Sequence, residues 1–252
     1  MTDGTTVGIG SQDKQFNRAF LAMTDSLMDD YDVVDLLSTL LATCTQLLDV
    51  QAGGILLVDT TGELELVAST SEEARVVETI IVAAGAGPCF ECFNTASAVS
   101  VPDIHKAAAT WPAFAQSATE QGFHSTYAVP MRLRDEVIGV MNLLSTTPGP
   151  ITERDGNIAQ ALADIAVLGI LHERNFRDPF AITEQLHIAL DTRILIEQAK
   201  GVLAQAAGLT MTDAFNALRS YARTHSLSLR ATAEATVRRT LSAAEIAAAF
   251  AR

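Results

Sequence analysis

Apolar residues in the last third of the chain recur every three or four positions. Leu186, Leu190 and Ile194, then Leu195, Ala199, Val202 and Ala206, form a stripe that predicts a helix over about residues 183–207. Thr183 can cap its start, because a hydroxyl accepts an orphan backbone N–H. Gly208 can end it in the left-handed region that side chains avoid. Ala214, Phe215, Leu218, Tyr221 and Ala222 predict a second helix, capped by Thr212–Asp213. Leu229, Ala233 and Val237 predict a third, begun by Ser226 or Ser228. Gly201 follows Lys200 inside the first helix, where glycine costs about 1 kcal/mol against alanine. Either a neighbouring helix packs closely on it, or Lys200 and a bare backbone patch face a polyanion.

The front of the chain has a different rhythm. Residues 1–12 are rich in Gly, Ser and Thr and read as a disordered start. Helical spacing runs through Phe16, Phe20, Met23 and Leu27, and again from Asp32 through Leu36, Leu40, Cys44 and Leu47. Gly53–Gly54 breaks that pattern. Ile55–Val58 and the alternating Leu64, Leu66 and Ala68 then read as a hairpin around the turn at Asp59–Gly62. Helices follow over 71–82, 89–94 and 111–121, with a strand at Val99–Val101 between the last two. Tyr127–Leu133 and Val137–Leu144 alternate as two more strands. Hairpins with helices outside predict an antiparallel sheet in an α+β domain. Residues 152–177 make a long helix with Ile158, Leu162, Ile165, Leu168, Leu171 and Phe176 on one stripe. Asp178–Pro179 interrupts it, because proline disfavours helix at the residue before it. The expected plan is an α+β domain over 13–177 and an all-α three-helix domain over 178–252, joined by a helical linker. Apolar stripes on both sides of the joint point to a coiled coil, and so to a homodimer.

The net charge of −13, taken alone, argues against nucleic-acid binding. Its distribution changes that. Residues 183–252 carry eight Lys/Arg against six Asp/Glu, a net of +2, which leaves residues 1–182 at −15. Only the tail is suited to meet phosphate. Three cysteines are too few for a disulfide scaffold. With no signal-peptide pattern and no 18-residue charge-free apolar run, a cytoplasmic protein without a membrane span is expected. Cys89 and Cys92 have the spacing of a redox or metal pair, with only His105 and His124 nearby. Two cysteines buried in a helical turn are the simpler reading, so no metal is assigned and the cofactor is left unknown. No Walker loop, G-x-S-x-G or paired-histidine motif occurs, and a non-enzyme is expected.

Three blocks in order, Arg193-Ile-Leu-Ile-Glu-Gln-Ala-Lys-Gly-Val-Leu203, Ala214-Phe215 with Leu218-Arg219, and Leu229-Arg-Ala-Thr-Ala233, resemble the ANTAR family of transcription antitermination regulators. The resemblance covers about residues 183–241 and implies a three-helix module that binds hairpins of nascent RNA. Ser228 departs from the family's frequent lysine there, which removes one phosphate contact. The RNA-facing candidates are Arg193, Lys200, Gly201, Arg219, Arg223 and Arg230, since arginine grips phosphate bidentately and stacks on unpaired bases. Gly122-Phe-His-Ser125 through Val129-Pro130, with Ile138-Gly-Val-Met-Asn-Leu143, is similar to a GAF domain over about residues 13–175. That implies a central antiparallel sheet and a pocket for a small-molecule or redox signal. Cys89, Trp111, Phe114, Phe123 and His124 are its candidate lining; ordinary core under a helix is the alternative. Two other functions stay open. Leu227–Arg239 superficially resembles the turn and recognition helix of a DNA-binding domain. Some GAF-fold proteins reduce free methionine sulfoxide with cysteines.

Overall fold

The computed structural model describes residues 33–59, 61–172 and 179–250, without side-chain detail at 172 and 179–187. The expected N-terminal tail and the helix predicted through Phe16 and Leu27 lie outside these residues.

The strand over Glu136–Ser145 shows how the front half is built. Val140 and Leu144 enter one core, while Met141 and Leu143 enter another, as the two-residue period of a pleat requires. It is β5 of a five-stranded antiparallel sheet ordered β2-β1-β5-β4-β3. The others are β1 (Ala52–Val58), β2 (Leu64–Ser69), β3 (Val99–Val101) and β4 (Ser125–Leu133). Asp59 shapes the β1–β2 turn by accepting the backbone N–H groups of Thr61 and Glu63, each at 2.8 Å.

Helices cover both faces. On one lie α1 (Val33–Leu47) and, after the sheet, α6 (Glu153–His172). On the other lie α2 (Glu72–Ala84), α3 (Pro88–Thr95), the single turn α4 (Ile104–Ala107) and α5 (Pro112–Glu120). Ser71 caps α2 by accepting from the Ala74 N–H, and Gly85 ends it at φ 60°. Gly53 and Gly54, expected to interrupt, lie inside β1. The approach of their neighbours explains them: a Cβ on Gly53 would sit 2.8 Å from the Asn142 carbonyl oxygen. On Gly54 it would sit 2.8 Å from Glu78 Cγ.

The tail is helical: α7 (Pro179–Ala207), α8 (Met211–Thr224), α9 (Leu229–Val237) and a fourth helix, α10 (Ala243–Phe250), absent from the three-helix expectation. α10 drops the fully buried Ile246 into the shared core. The caps differ in detail from those expected. Thr183 falls inside α7 instead of starting it. Thr210, not Thr212, caps α8, because Thr210 has extended backbone and its Oγ1 accepts the Asp213 N–H at 3.0 Å. Ser228 caps α9, while Ser226 sits in the left-handed region at φ 53°.

Of the stripe on α6, Leu162 and Ile165 are buried in the chain's own core and Ile158 and Leu171 pack partly against it, while Leu168 is 54% exposed and Phe176 lies outside the described residues. Ala159, Ala163, Ala166 and Ile170 complete the buried face toward α1 and β4. α7 then crosses β2 and the flank of α1, so the apolar core on that side of the sheet continues into the tail helices.

Candidate nucleic-acid interface

One 29-residue helix brings Arg193 and Lys200 to the sheet domain. Lys200 and Gly201 are neighbours on it and therefore point about 100° apart. Lys200 turns inward and its side chain is 7% exposed. Its Nζ donates to Glu197 Oε1 at 2.9 Å on its own helix and to Glu72 Oε1 at 3.2 Å in the first turn of α2. Glu72 also accepts from Arg75 Nε at 2.6 Å. Burial alone would push the Glu72 carboxyl up, but the bonds from Arg75 and Lys200 more than offset this and hold it below the usual range.

The second helix of the tail makes a parallel connection. Arg219 Nε donates to Asp35 Oδ1 at 2.6 Å, and its Nη2 donates to the Thr39 hydroxyl. Arg223, one turn further on, reaches Asp35 Oδ2 at 3.3 Å and stays 58% exposed. Asp35 lies in the first turn of α1. Two acidic helix starts of the sheet domain thus hold three cations of the tail. Between them lies a cleft of about 270 Å³, lined by Ser38, Ser69, Thr70, Arg193, Phe215 and Asn216 among others. Burial lowers the Arg193 guanidinium from its ordinary value, with Glu197 and Glu65 opposing the shift.

The face of the sheet under α2–α5 is packed. Cys89 and Phe114 are fully buried and Phe123 nearly so, with Trp111 at the margin in edge contact with Phe114. His124 lies 5.8 Å from His105, ring to ring. Amid this apolar layer runs a buried polar chain. Asn142 Nδ2 donates to Glu78 Oε1 at 2.7 Å, Thr126 Oγ1 donates to Asn142 Oδ1 at 2.6 Å, and the Cys89 thiol lies 3.7 Å from Glu78 Oε2. Glu78 has no solvent exposure. Burial pushes its carboxyl up to about 7, with the bonds from Asn142 and Cys89 pulling the other way.

The sequence pattern of the GAF domain matches residues 30–170, more than half of the chain. The chain belongs to the GAF family. An ANTAR domain follows, matched over residues 184–237. The GAF domain of an Acinetobacter phosphoenolpyruvate-protein phosphotransferase superposes with a TM-score of 0.52 at 18% identity, covering 67% of this chain and 98% of that one. A free methionine-R-sulfoxide reductase from Neisseria meningitidis, solved with its substrate, gives 0.51 at 19%, covering 69% and 96%. The GAF domain of a Coxiella burnetii phosphoenolpyruvate-protein phosphotransferase gives 0.50 at 16%, covering 63% and 94%. At these identities the likeness establishes the fold and says nothing of chemistry. No curated protein matches the chain.

Within the GAF domain, the five residues expected to line a pocket are brought together, but as packed core and its margin. Neither described cavity is lined by any of them. The thiols are poorly suited to nucleophilic work. Burial, the Glu78 carboxyl and Cys92 push Cys89 well above its ordinary value. Burial pushes Cys92 up to about 12, against the pull of Arg132. A thiol held protonated is a weak nucleophile.

In the ANTAR domain, Lys200, Arg219 and Arg223 face the GAF domain, Arg193 lines the cleft and Arg230 on α9 is half-buried. Gly201 is exposed, and no described atom lies within 4 Å of where its Cβ would be. Close helix packing on Gly201 is therefore not its role among the described residues. Lys200 and Gly201 also do not share one outward patch. Glu78 was missed at the level of sequence, though it carried a signal: it continues the spacing of Ala74, Val77 and Ile81, all buried. No single helix among the described residues is long and apolar enough to cross a membrane.

Proposed function

We propose that this protein is a signal-responsive transcription antitermination regulator whose ANTAR domain binds RNA hairpins under control of its GAF domain. The observation that carries the reading is the placement of Lys200, Arg219 and Arg223, from two helices of an ANTAR domain, on one surface. Cations so grouped can neutralise neighbouring phosphates, while Arg193 and Arg230 extend the same basic set. The RNA-binding form is a homodimer in this reading, with the exposed Leu168 of α6 and Ile194 of α7 as apolar positions for pairing. The signal is a small molecule or a redox change received by the GAF domain.

The test is equilibrium binding of the full chain to small-loop RNA hairpins across a salt series, with duplex DNA as competitor. Expected is a preference for the hairpin and a linear fall of log affinity with log salt. Replacing Lys200, Arg219 and Arg223 together by alanine should flatten that slope by about two to three phosphate contacts. Unchanged affinity and slope in that variant would remove these residues from the RNA surface. Absence of hairpin binding at low salt would remove the function.

A further inference from the structure

The cations assigned above to RNA are not free in this structure. Lys200 is enclosed by Glu72 and Glu197, and Arg219 and Arg223 converge on Asp35. Glu197 shares a helix with Lys200 and moves with it. Asp35 and Glu72 belong to the other domain. Each carboxylate presents two oxygens to a lysine or arginine donor, as a phosphate does. Both sit in the first turn of a helix, where the helix dipole favours an acidic side chain.

Resting on the RNA-binding reading, we infer that Asp35 and Glu72 are intramolecular stand-ins for RNA phosphate: the GAF domain occupies the ANTAR cationic surface, and RNA and GAF domain compete for it. The surface therefore fits two partners of the same chemistry, one at a time. Apolar contact alone would keep the domains together without regard to charge. Here Glu72, Lys200 and Arg219 line a cleft of about 270 Å³, so the contact is partly polar and solvent reaches it. The Arg223–Asp35 pair is the most exposed and individually weak, and Glu72 and Asp35 keep part of their surface in solvent, which suits an occupant that must be displaced.

The chain has three lysines, Lys14, Lys106 and Lys200, and this makes the test clean. Lys106 is 85% exposed and Lys200 is 7% exposed. A small amine-acylating reagent, read by peptide mass spectrometry, should modify Lys200 far more slowly than Lys106 in the full chain. In the double variant Asp35→Asn/Glu72→Gln, Lys200 should approach the rate of Lys106. Hairpin affinity should tighten about five- to tenfold, the factor carried by two or three partly exposed ion pairs. Glu72→Gln alone, which leaves α1 untouched, should give part of both effects and covers the case of a poorly folding double variant.

Lys200 acylation unchanged in the variants overturns the proposal, whatever the RNA does. Faster acylation with equal hairpin affinity in wild type and variant overturns the competition, because the contact would then be independent of RNA. If acylation rises but neither protein binds any hairpin, the RNA-binding reading itself fails and the proposal falls with it.

Discussion

Glu78→Gln isolates the buried acid of the GAF domain. Glu78 is fully enclosed between α2 and the sheet, and its carboxyl is raised from 4.5 to about 7, chiefly by burial. Between those two values the folded chain keeps a proton that the unfolded chain has released, so stability falls as pH rises through the window. At about 1.4 kcal/mol per unit, the loss levels off at about 3 kcal/mol above pH 7. Asp59, Glu72 and Asp103 are held below their ordinary values, so their shifts act in more acid solution than this window. The glutamine keeps an oxygen for the Asn142 amide and has no charge to bury. Urea unfolding followed by fluorescence of Trp111, the single tryptophan, reports on this domain. The wild-type midpoint should fall between pH 5 and pH 8 by about 1 M or more. The variant's midpoint should stay level and exceed the wild type's at pH 8. A flat or rising wild-type midpoint, or a variant that slopes as steeply, would refute the buried-acid account.

Gly54→Ala places a Cβ 2.8 Å from Glu78 Cγ and should cost about 1–3 kcal/mol in unfolding experiments; adding Glu78→Ala should recover part of that loss. Gly201→Ala meets no described atom and should raise the thermal midpoint of the ANTAR helices, by about 1 kcal/mol of stability. If the bare backbone there meets RNA, hairpin affinity should fall in the same variant. Cys44, Cys89 and Cys92 are buried thiols, so an aromatic disulfide reagent should react with them only as the chain opens. Native-state labelling as fast as that in urea would disprove their enclosure.

Much of this architecture could be read from the chain because periodicity reports burial. The alternation in Tyr127–Leu133 and Val137–Leu144 placed β4 and β5 nearly to their ends, and Gly208 at φ 66° marks the end of α7. What escaped depends on partners distant in sequence. Two glycines at the start of β1 read as a break, because the clash that excludes side chains comes from Asn142 and Glu78, far along the chain. The orientation of Lys200 followed the same logic. Its spacing fits an apolar stripe or a solvent face equally well, and only the arrival of Glu72, 128 residues away, decides between them. The packing of the candidate pocket residues was open at the level of sequence for a related reason. Trp111, Phe114 and Phe123 have the composition of a pocket wall, and the same composition fills a core when the opposing helices close on it.

Salt should separate the competing occupants. Ionic strength weakens RNA binding by making counterion release less favourable. It also weakens the exposed part of the contacts from Asp35 and Glu72 to the ANTAR cations. Apparent affinity is intrinsic affinity multiplied by the fraction of chains that are open. In the wild type, added salt therefore lowers the first quantity while raising the second, and the two partly cancel. In Asp35→Asn/Glu72→Gln the open fraction is already high, and only the first effect remains. A plot of log affinity against log salt should be flatter for the wild type, and the two lines should converge at high salt. A shared core that holds the domains without help from charge would instead give parallel lines. Parallel lines would mean that the carboxylates touch the cations without competing for them.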